Sequence, residues 1–388
     1  TVHKVIDPES TRQGILSKLD EFIRDYGENP QARLLIYYAG HGYTNNDQGF
    51  IAPKEAPSPH INLEAFLHSA INMDTFVEAA RKAGHEITLF HRGKTGSDVF
   101  PDLETIQGDR DQDLDKLRGQ TWDAVLDTCA YIPRHVRALT EVIRHSAPHY
   151  VLISTISVYS DPVTAGAGED SPLNTLTDPT TEQVTNEAYG GLKVLCETAA
   201  HDSGIPSITL VRPGMIVGPH DPTDRFTYWV ERVARGGDML VPGDLDRRTQ
   251  FIDARDLAAW MVGLIEHTTT GTFNAVNPPH GITWRDWLDQ TRAAFGVDAQ
   301  YTVIPDQWLE SHKVNGGELP FWVPAPYDGV FAMSNARAVE TGLHARSVAE
   351  IVRDTLEWSR SRVDHTLKAG LTAERESELL TAWRSSAE

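Results

Sequence analysis

Apolar residues recur with two different periods along the chain, and the change of period separates predicted strands from predicted helices. From residue 85 onward, short apolar runs alternate with amphipathic segments. The runs predicted as strands are EITLF, LETIQGD, DAVLDTC, YVLIST and SITLVRPG. Helical spacing is found in RHVRALTEVIRHS and EAYGGLKVLCETAAHDSG, which lie between them. Buried strands that alternate with helices predict an α/β fold with a parallel, Rossmann-like sheet and helices on both faces.

The two ends of the chain have patterns of their own. In the first 82 residues, TRQGILSKLDEFIRDYG predicts a helix, ARLLIYYAGHGY a buried strand that enters a turn, and NLEAFLHSAINMDTFVEAARKAG a helix that Gly84 ends as a C-cap. After about residue 217 the pattern is irregular, as in a substrate-binding lobe, and TAERESELLTAWRSS predicts a last helix on the surface. We therefore divide the chain into residues 1–82, 83–217 and 218–388.

Composition excludes several classes of protein. The chain has 388 residues, enough for two or three domains, and a formal net charge of −20. That charge argues against a general binder of nucleic acids or anionic membranes, which need a basic surface. The two cysteines, Cys129 and Cys196, provide no disulfide framework and fit a reducing compartment, so a cytoplasmic protein is expected. No apolar run is long enough to span a bilayer, and no metal site is predicted.

The strongest candidate chemistry lies in ISTISVYSD and, some thirty residues later, YGGLK. Tyr189 and Lys193 are four positions apart, so a helix places them on one face. An ammonium near a phenol, with a cationic nicotinamide beside it, is expected to lower the pKa of the phenol toward neutrality. The phenolate then exchanges a hydroxyl proton while hydride moves to or from a cofactor. A Tyr and a Lys at this spacing are common by chance, so the interpretation depends on the order of the surrounding motifs.

That order resembles the extended short-chain dehydrogenase/reductases, the NAD-dependent epimerase/dehydratase family. The segments that carry the resemblance, over about residues 84 to 388, are GHEITLFHRG, GDRDQDL, WDAVLDTCAYIP, ISTISVYSD, YGGLKVLCE, VRPGMIVGPHDPTDRF and QFIDARDLA. The resemblance implies a dehydrogenase/reductase or an epimerase/dehydratase acting on a hydroxyl or carbonyl substrate. A cytoplasmic homodimer is a further expectation, with no nucleic acid or membrane partner.

The resemblance also implies roles for individual residues. Tyr189 takes the place of the catalytic acid or base, Lys193 that of the ligand of the nicotinamide ribose, and Thr155 that of the Ser/Thr hydroxyl. Arg92 replaces the acid that usually binds the ribose, which favours a 2′-phosphate and so NADP, with NAD as the alternative. The full set of implied cofactor-binding residues is Arg92, Asp109, Cys129, Ala130, Ser154, Pro213, Gly214, Met215 and Ile216.

One part of that family's pattern is absent. Its first strand is followed by three glycines, which allow the pyrophosphate to approach backbone N–H groups at the start of a helix. Here Leu67, Ala70 and Met73 occupy the three positions. We expect a poor pyrophosphate site or none.

The segment that stands in place of the glycine loop has a resemblance of its own. LLIYYAGHGY, GFIAPKEAP and AFLHSAINMDTFVEAAR are similar to part of a caspase-like cysteine peptidase, with His41 in the place of the catalytic histidine. The nucleophile turn of that family is missing, and DTC at Asp127 to Cys129 echoes it only faintly. A peptidase fragment with His41 and a non-catalytic fusion product are therefore the alternative functions.

A native-like sheet is still compatible with this sequence. Leu34 to Tyr38 can replace the missing first strand, with Gly40 and Gly42 in a turn and residues 62 to 82 as the crossover helix. This gives a strand, a helix and a strand in the order that a right-handed crossover requires.

Overall fold

A computed structural model describes residues 33–37, 41–45, 48–52, 73–93, 100–323, 327–363 and 365–387. Its strands are β1 Arg33–Tyr37, β2 His41–Asn45, β3 Gln48–Ala52, β4 Glu86–His91, β5 Glu104–Gln107, β6 Ala124–Asp127, β7 His149–Ile153, β8 Ser207–Pro213, β9 Met215–Val217, β10 Gly237–Pro242, β11 Arg248–Asp253, β12 Gly271–Ala275, β13 Asn277–Thr283 and β14 Ala299–Ile304.

The described helices follow the same chain order. They are α1 Met73–Lys82, α2 Pro133–Ile143, α3 Asn186–His201, α4 Arg225–Arg235, α5 Ala254–Glu266, α6 Trp284–Phe295, α7 Asp306–Ser311, α8 Ala336–Glu340, α9 Val348–Ser361 and α10 Ala373–Ala387. No helix in the described ranges is long and apolar enough to cross a membrane.

Seven strands form one parallel sheet in the order β12-β8-β7-β6-β1-β4-β5. Read along the chain, this is the doubly wound dinucleotide-binding order with a seventh strand added. The predicted α/β fold with a parallel sheet is confirmed, and so are all five predicted strands. Most of these strands end a few residues before the end of the predicted run.

The replacement first strand is confirmed. Strand β1 lies in the middle of the sheet, where Tyr37 is in register with Phe90 of β4 and with Asp127 of β6. The predicted turn is wrong at Gly42, which pairs with Ile51 in the antiparallel hairpin β2–β3; Gly40 lies outside the described residues. Of the predicted crossover helix, the structure describes α1, and Gly84 ends it with a φ of 85°.

The residues after 217 are more regular than their pattern indicates. They contain helices α4 to α10, the small sheet β10-β14, the strands β11 and β13 that pair with each other beside β9, and strand β12, which returns to the main sheet beside β8. Their strands are short and interrupted by prolines and glycines, which hides the two-residue period. The last helix was expected on the surface, yet it buries Leu379 and Leu380 in the core of this lobe.

The buried residues form two main cores. The first surrounds the seven-stranded sheet and includes Leu257 of α5 and Phe273 of β12. The second lies in the C-terminal lobe around Trp229 and Trp284, whose ring centroids are 4.9 Å apart in an edge-to-face arrangement. Because α5 and β12 belong to the first core, the chain crosses between the cores more than once after the proposed boundary at residue 217.

His149, at the start of β7, generates a prediction about stability. It is 1% exposed, and its Nε2 lies 2.7 Å from the hydroxyl of Thr209. Since that hydroxyl donates to the Thr269 carbonyl, we assign the ring proton to Nε2. Burial lowers the pKa of His149 to about 4.

We expect the folded state to lose stability as the pH falls from about 6.5 to about 4. The unfolded chain binds the His149 proton at its ordinary pKa, whereas the folded chain resists it, and this difference amounts to about 3 kcal/mol at most. His149→Gln retains a donor for Thr209 and should remove that part of the pH dependence. Urea unfolding at pH 7 and pH 4.5 measures how the free energy of unfolding of each protein changes with pH. An equal change in wild type and in His149→Gln would contradict the assignment.

Candidate active site at the carboxyl edge of the sheet

The strand order locates the site before any side chain is considered. Strands β1 and β6 are neighbours in the sheet, but the strands that follow β1 in the chain are added toward one edge and those that follow β6 toward the other. In open α/β sheets, ligands bind at such a switch point, outside the carboxyl ends of the strands. The carboxyl ends of β6, β7 and β8 lie at this edge, so the segments that follow these strands start here. Helix α3 packs against this part of the sheet.

Helix α3 approaches this edge closely because of two glycines. The Thr185 hydroxyl caps its first turn by accepting the N–H of Ala188. A Cβ at Gly190 would lie 2.2 Å from the Ser157 carbonyl oxygen, and one at Gly191 would lie 2.6 Å from Leu176 Cγ. A glycine inside a helix destabilises it by about 1 kcal/mol relative to alanine. Here the absence of a side chain lets the helix contact the segment after β7.

Lys193 joins the ends of two strands. Its ammonium donates to the carbonyl oxygens of Ala130, at 2.7 Å, and Ile153, at 2.8 Å. The residue is 3% exposed, and burial lowers its pKa. An ammonium has three N–H groups, and within the described residues two of them are used by these carbonyls. The third can serve a ligand hydroxyl.

Tyr189 and Thr155 come together beside Lys193. The Thr155 side chain is hydrogen-bonded to the Tyr189 phenol, and its hydroxyl also accepts the N–H of Ser157. Burial raises the pKa of Tyr189, and the hydrogen bond with Thr155 lowers it only in part. The Lys193 ammonium is directed to backbone carbonyls. The expectation that this ammonium and a cationic nicotinamide together lower the pKa of Tyr189 stays a prediction.

A buried ion pair holds α3 against β7 and β8. Arg212 of β8 donates to both carboxylate oxygens of Glu197, at 2.9 and 2.6 Å. The Ser154 hydroxyl donates to the same carboxylate at 2.5 Å. This contact uses the hydroxyl of Ser154, a residue that the family resemblance assigns to cofactor binding. Glu197 lies four positions after Lys193, so the pair positions the face of the helix that carries Lys193.

A second buried pair lies at the end of β6. Arg110 donates to Asp127 at 3.2 Å and to the Cys129 carbonyl at 2.7 Å, and its Nη1 lies 3.3 Å from the Cys129 sulfur. Tyr150 donates to Asp127 at 2.8 Å. Cys129 and Ala130 therefore present their backbone carbonyls to cations, and the Cys129 thiol is 1% exposed.

Four of these residues were missed by the sequence interpretation. Asp127 and Arg212 are charged positions at the ends of otherwise apolar strands, and a charge there signals a buried partner. Glu197 and Arg110 are less conspicuous, because a carboxylate on a helix and an arginine in a loop are usually exposed. With Lys193, the two pairs place three buried cations and two buried carboxylates at this edge of the sheet.

The remaining predicted residues lie around this centre. Arg92 follows β4 and Asp109 follows β5, on the far side of the switch point from Tyr189. Asp109 accepts the N–H of Asp111 at 3.0 Å and so shapes its own turn. Of the three positions that replace the glycine loop, Met73 begins α1, while Leu67 and Ala70 lie outside the described residues.

The stretch Pro213 to Ile216 carries the chain from the main sheet to the small one. Pro213 ends β8, and Met215 begins β9, which pairs with β11. Gly214 donates its N–H to the Ala275 carbonyl at 3.2 Å, and a Cβ there would lie 2.8 Å from Val276. This passage lies beside the site because β8 is the neighbour of β7.

The residues present fit the nicotinamide-ribose half of a dinucleotide. A buried ammonium with an N–H group to spare, a phenol and a threonine hydroxyl surround one position at the strand ends. The groups that would hold the pyrophosphate fall among residues that the structure does not describe. The fold and this half-site together define a Rossmann-like α/β protein with a candidate hydroxyl-binding centre.

Comparison with known proteins agrees with this class. Residues 133–277 match the model of the NAD dependent epimerase/dehydratase family. No curated protein matches the chain. The comparisons give the caspase-like resemblance of residues 1–82 no support. His41 begins strand β2, whose side chains lie outside the described part.

Solved structures share the fold at low identity. The UDP-Glc/GlcNAc 4-epimerase of Campylobacter jejuni is 14% identical, with a TM-score of 0.58, and the match covers 85% of this chain and 99% of that one. The UDP-N-acetylglucosamine 4-epimerase of Bacillus cereus is 15% identical, with a TM-score of 0.55 and coverage of 86% and 98%. The UDP-glucuronic acid 4-epimerase of Bacillus cereus, in complex with NAD, is 13% identical, with a TM-score of 0.56 and coverage of 86% and 98%.

We expect Gly190→Ala to destabilise the protein by about 2 kcal/mol or more, because the new methyl group meets a backbone carbonyl that cannot rotate away. Gly263→Ala on α5 is the matched control, since its Cβ would meet nothing within 4 Å. That change should stabilise the protein by about 0.5 to 1 kcal/mol. Urea unfolding measures both effects. A Gly190→Ala protein as stable as wild type would show that α3 does not contact residues 156–158.

Proposed function

We propose that this protein is an NAD-dependent enzyme of the extended short-chain dehydrogenase/reductase type that oxidises and re-reduces a secondary hydroxyl, as an epimerase does. The observation that carries the proposal is the junction of Lys193, Tyr189 and Thr155 at the carboxyl edge of a parallel sheet with dinucleotide-binding order. The family match over residues 133–277 supports it. A sugar nucleotide is the favoured substrate class, because several solved structures with this fold are 4-epimerases of UDP-sugars.

The roles of the side chains follow from their contacts. Thr155 donates to the substrate oxygen and, with Tyr189, fixes the hydroxyl that reacts. Tyr189 takes the proton from that hydroxyl and later returns it. Lys193 binds the ribose next to the nicotinamide with its remaining N–H group and lowers the pKa of Tyr189 once the site is filled. The bound cofactor supplies the hydride acceptor and donor.

The cofactor is NAD rather than NADP. The prediction of NADP rested on Arg92 alone, whereas several solved structures with this fold are complexes with NAD, among them the UDP-glucuronic acid 4-epimerase of Bacillus cereus. Arg92 follows β4 at the position where an acid or an arginine decides between the two cofactors. NADP therefore remains the alternative that the binding experiment has to exclude.

Titration with NADH and NADPH, followed by nicotinamide fluorescence, tests the cofactor. We expect NADH to bind more tightly than NADPH, and Arg92→Ala to change NADH binding less than threefold. The cofactor would instead be NADP if wild type bound NADPH more tightly than NADH and if Arg92→Ala lost NADPH affinity tenfold. Failure of both cofactors to bind at millimolar concentration would contradict the proposed function itself.

Tyr189→Phe tests the chemistry. The variant should keep NADH binding within about threefold and lose turnover of UDP-glucose or UDP-N-acetylglucosamine by about a hundredfold or more, the usual contribution of a positioned acid or base. Tyr327→Phe is the matched control, since Tyr327 is 50% exposed and is not among the residues assigned to the site. Turnover by Tyr189→Phe equal to that of the control would refute the role of Tyr189.

A further inference from the structure

The C-terminal lobe contains a cavity separate from the active site. It has a volume of about 370 Å³ and lies between α4, α9 and the segment that follows α9. Its lining residues are Tyr228, Glu231, Arg232, Ala234, Arg235, Leu356, Arg360, His365, Leu367 and Leu371. None of them is among the residues assigned to the cofactor or to the reaction, and the buried ones belong to the core of the lobe.

The wall of this lobe cavity carries an excess of cationic groups. Arg232 is neutralised, because it donates to both oxygens of Glu376 at 2.8 and 2.7 Å. Arg235 makes only a longer contact of 3.4 Å with the same carboxylate. Arg360 has no ion pair with any residue that the structure describes. Such a wall stands out on a chain with a net charge of −20.

Among the described residues, one carboxylate lines the wall, and it is already engaged. Glu231 accepts a short hydrogen bond from the Ser359 hydroxyl. It therefore offsets at most one of the cationic groups. The mouth of the lobe cavity retains a net positive charge that an anion can neutralise.

The rest of the wall is apolar. Leu356, Leu367 and Leu371 line it together with the ring of Tyr228. The tyrosine oxygen is buried and accepts a hydrogen bond from the backbone N–H of Leu371, while its own O–H has no acceptor among the described residues. Ligand sites combine apolar walls with a few polar groups in this way, in volumes of about 300 to 1,000 Å³.

We propose that the lobe cavity binds a small amphiphilic anion, an alkyl or aryl carboxylate or phosphate. The anionic head contacts Arg360, His365 and Arg235, and the apolar part lies against the three leucines. The Tyr228 hydroxyl is available as a donor to the ligand.

Isothermal titration calorimetry with decanoate tests the proposal, and decanol, which has the same chain without the charge, is the control ligand. Decanoate should bind at least tenfold more tightly than decanol. Its affinity should fall as the salt concentration rises, since the head groups at the mouth are partly exposed. Equal binding of the two ligands would overturn the proposal.

Arg360→Gln should weaken decanoate binding at least fivefold and leave decanol binding unchanged. Arg353→Gln is the matched control on the same helix, where Arg353 is exposed and does not line the lobe cavity. Both changes lie on the surface, so circular dichroism should show intact folds. Equal effects of the two substitutions would place the anion elsewhere. The proposal is independent of the active site, so NADH binding should be the same with and without decanoate.

Discussion

The main sheet depends on the backbone hydrogen bonds that β1 makes on both of its sides. Strands β4 and β6 are buried, and buried N–H and C=O groups must find partners. Strand β1 supplies partners to both, with Tyr37 in register between Phe90 and Asp127. Without it the sheet would divide into β4-β5 and β6-β7-β8-β12, each with an unpaired edge in the core. The switch point exists because this strand comes first in the chain and lies in the middle of the sheet.

The candidate site takes its geometry from that arrangement. The ends of β6 and β7 present the carbonyls of Ala130 and Ile153 at the spacing of adjacent strands, and Lys193 donates to both. Two buried ion pairs, Arg110 with Asp127 and Arg212 with Glu197, flank this lysine. Buried pairs add little net stability, but loss of one partner leaves an uncompensated charge in the core. They therefore make the positions of α3 and of the strand ends depend on each other.

Sequence patterns were informative where burial and periodicity coincide. Four of the five predicted runs became buried strands because parallel strands covered on both faces need apolar residues at nearly every position, whereas β5 lies at the edge of the sheet and is largely exposed. Gly84 ended α1 because only glycine readily adopts a φ near 85°. Patterns failed after residue 217, where short strands pair with distant partners, and at the last helix, whose two adjacent leucines enter the core. A one-dimensional pattern contains no information on which distant strand will be the partner.

The sequence by itself determined the class of fold, the order of the strands along the chain and the spacing that places Tyr189 and Lys193 on one helical face. Each of these follows from local periodicity and from the stereochemistry of the backbone. Only the tertiary structure decided that β1 occupies the centre of the sheet and that Glu197 and Arg212 pair beneath the site. The raised pKa of Tyr189 is likewise a tertiary property, since it depends on the solvent that neighbouring elements exclude and on charges that the fold brings together from distant parts of the chain.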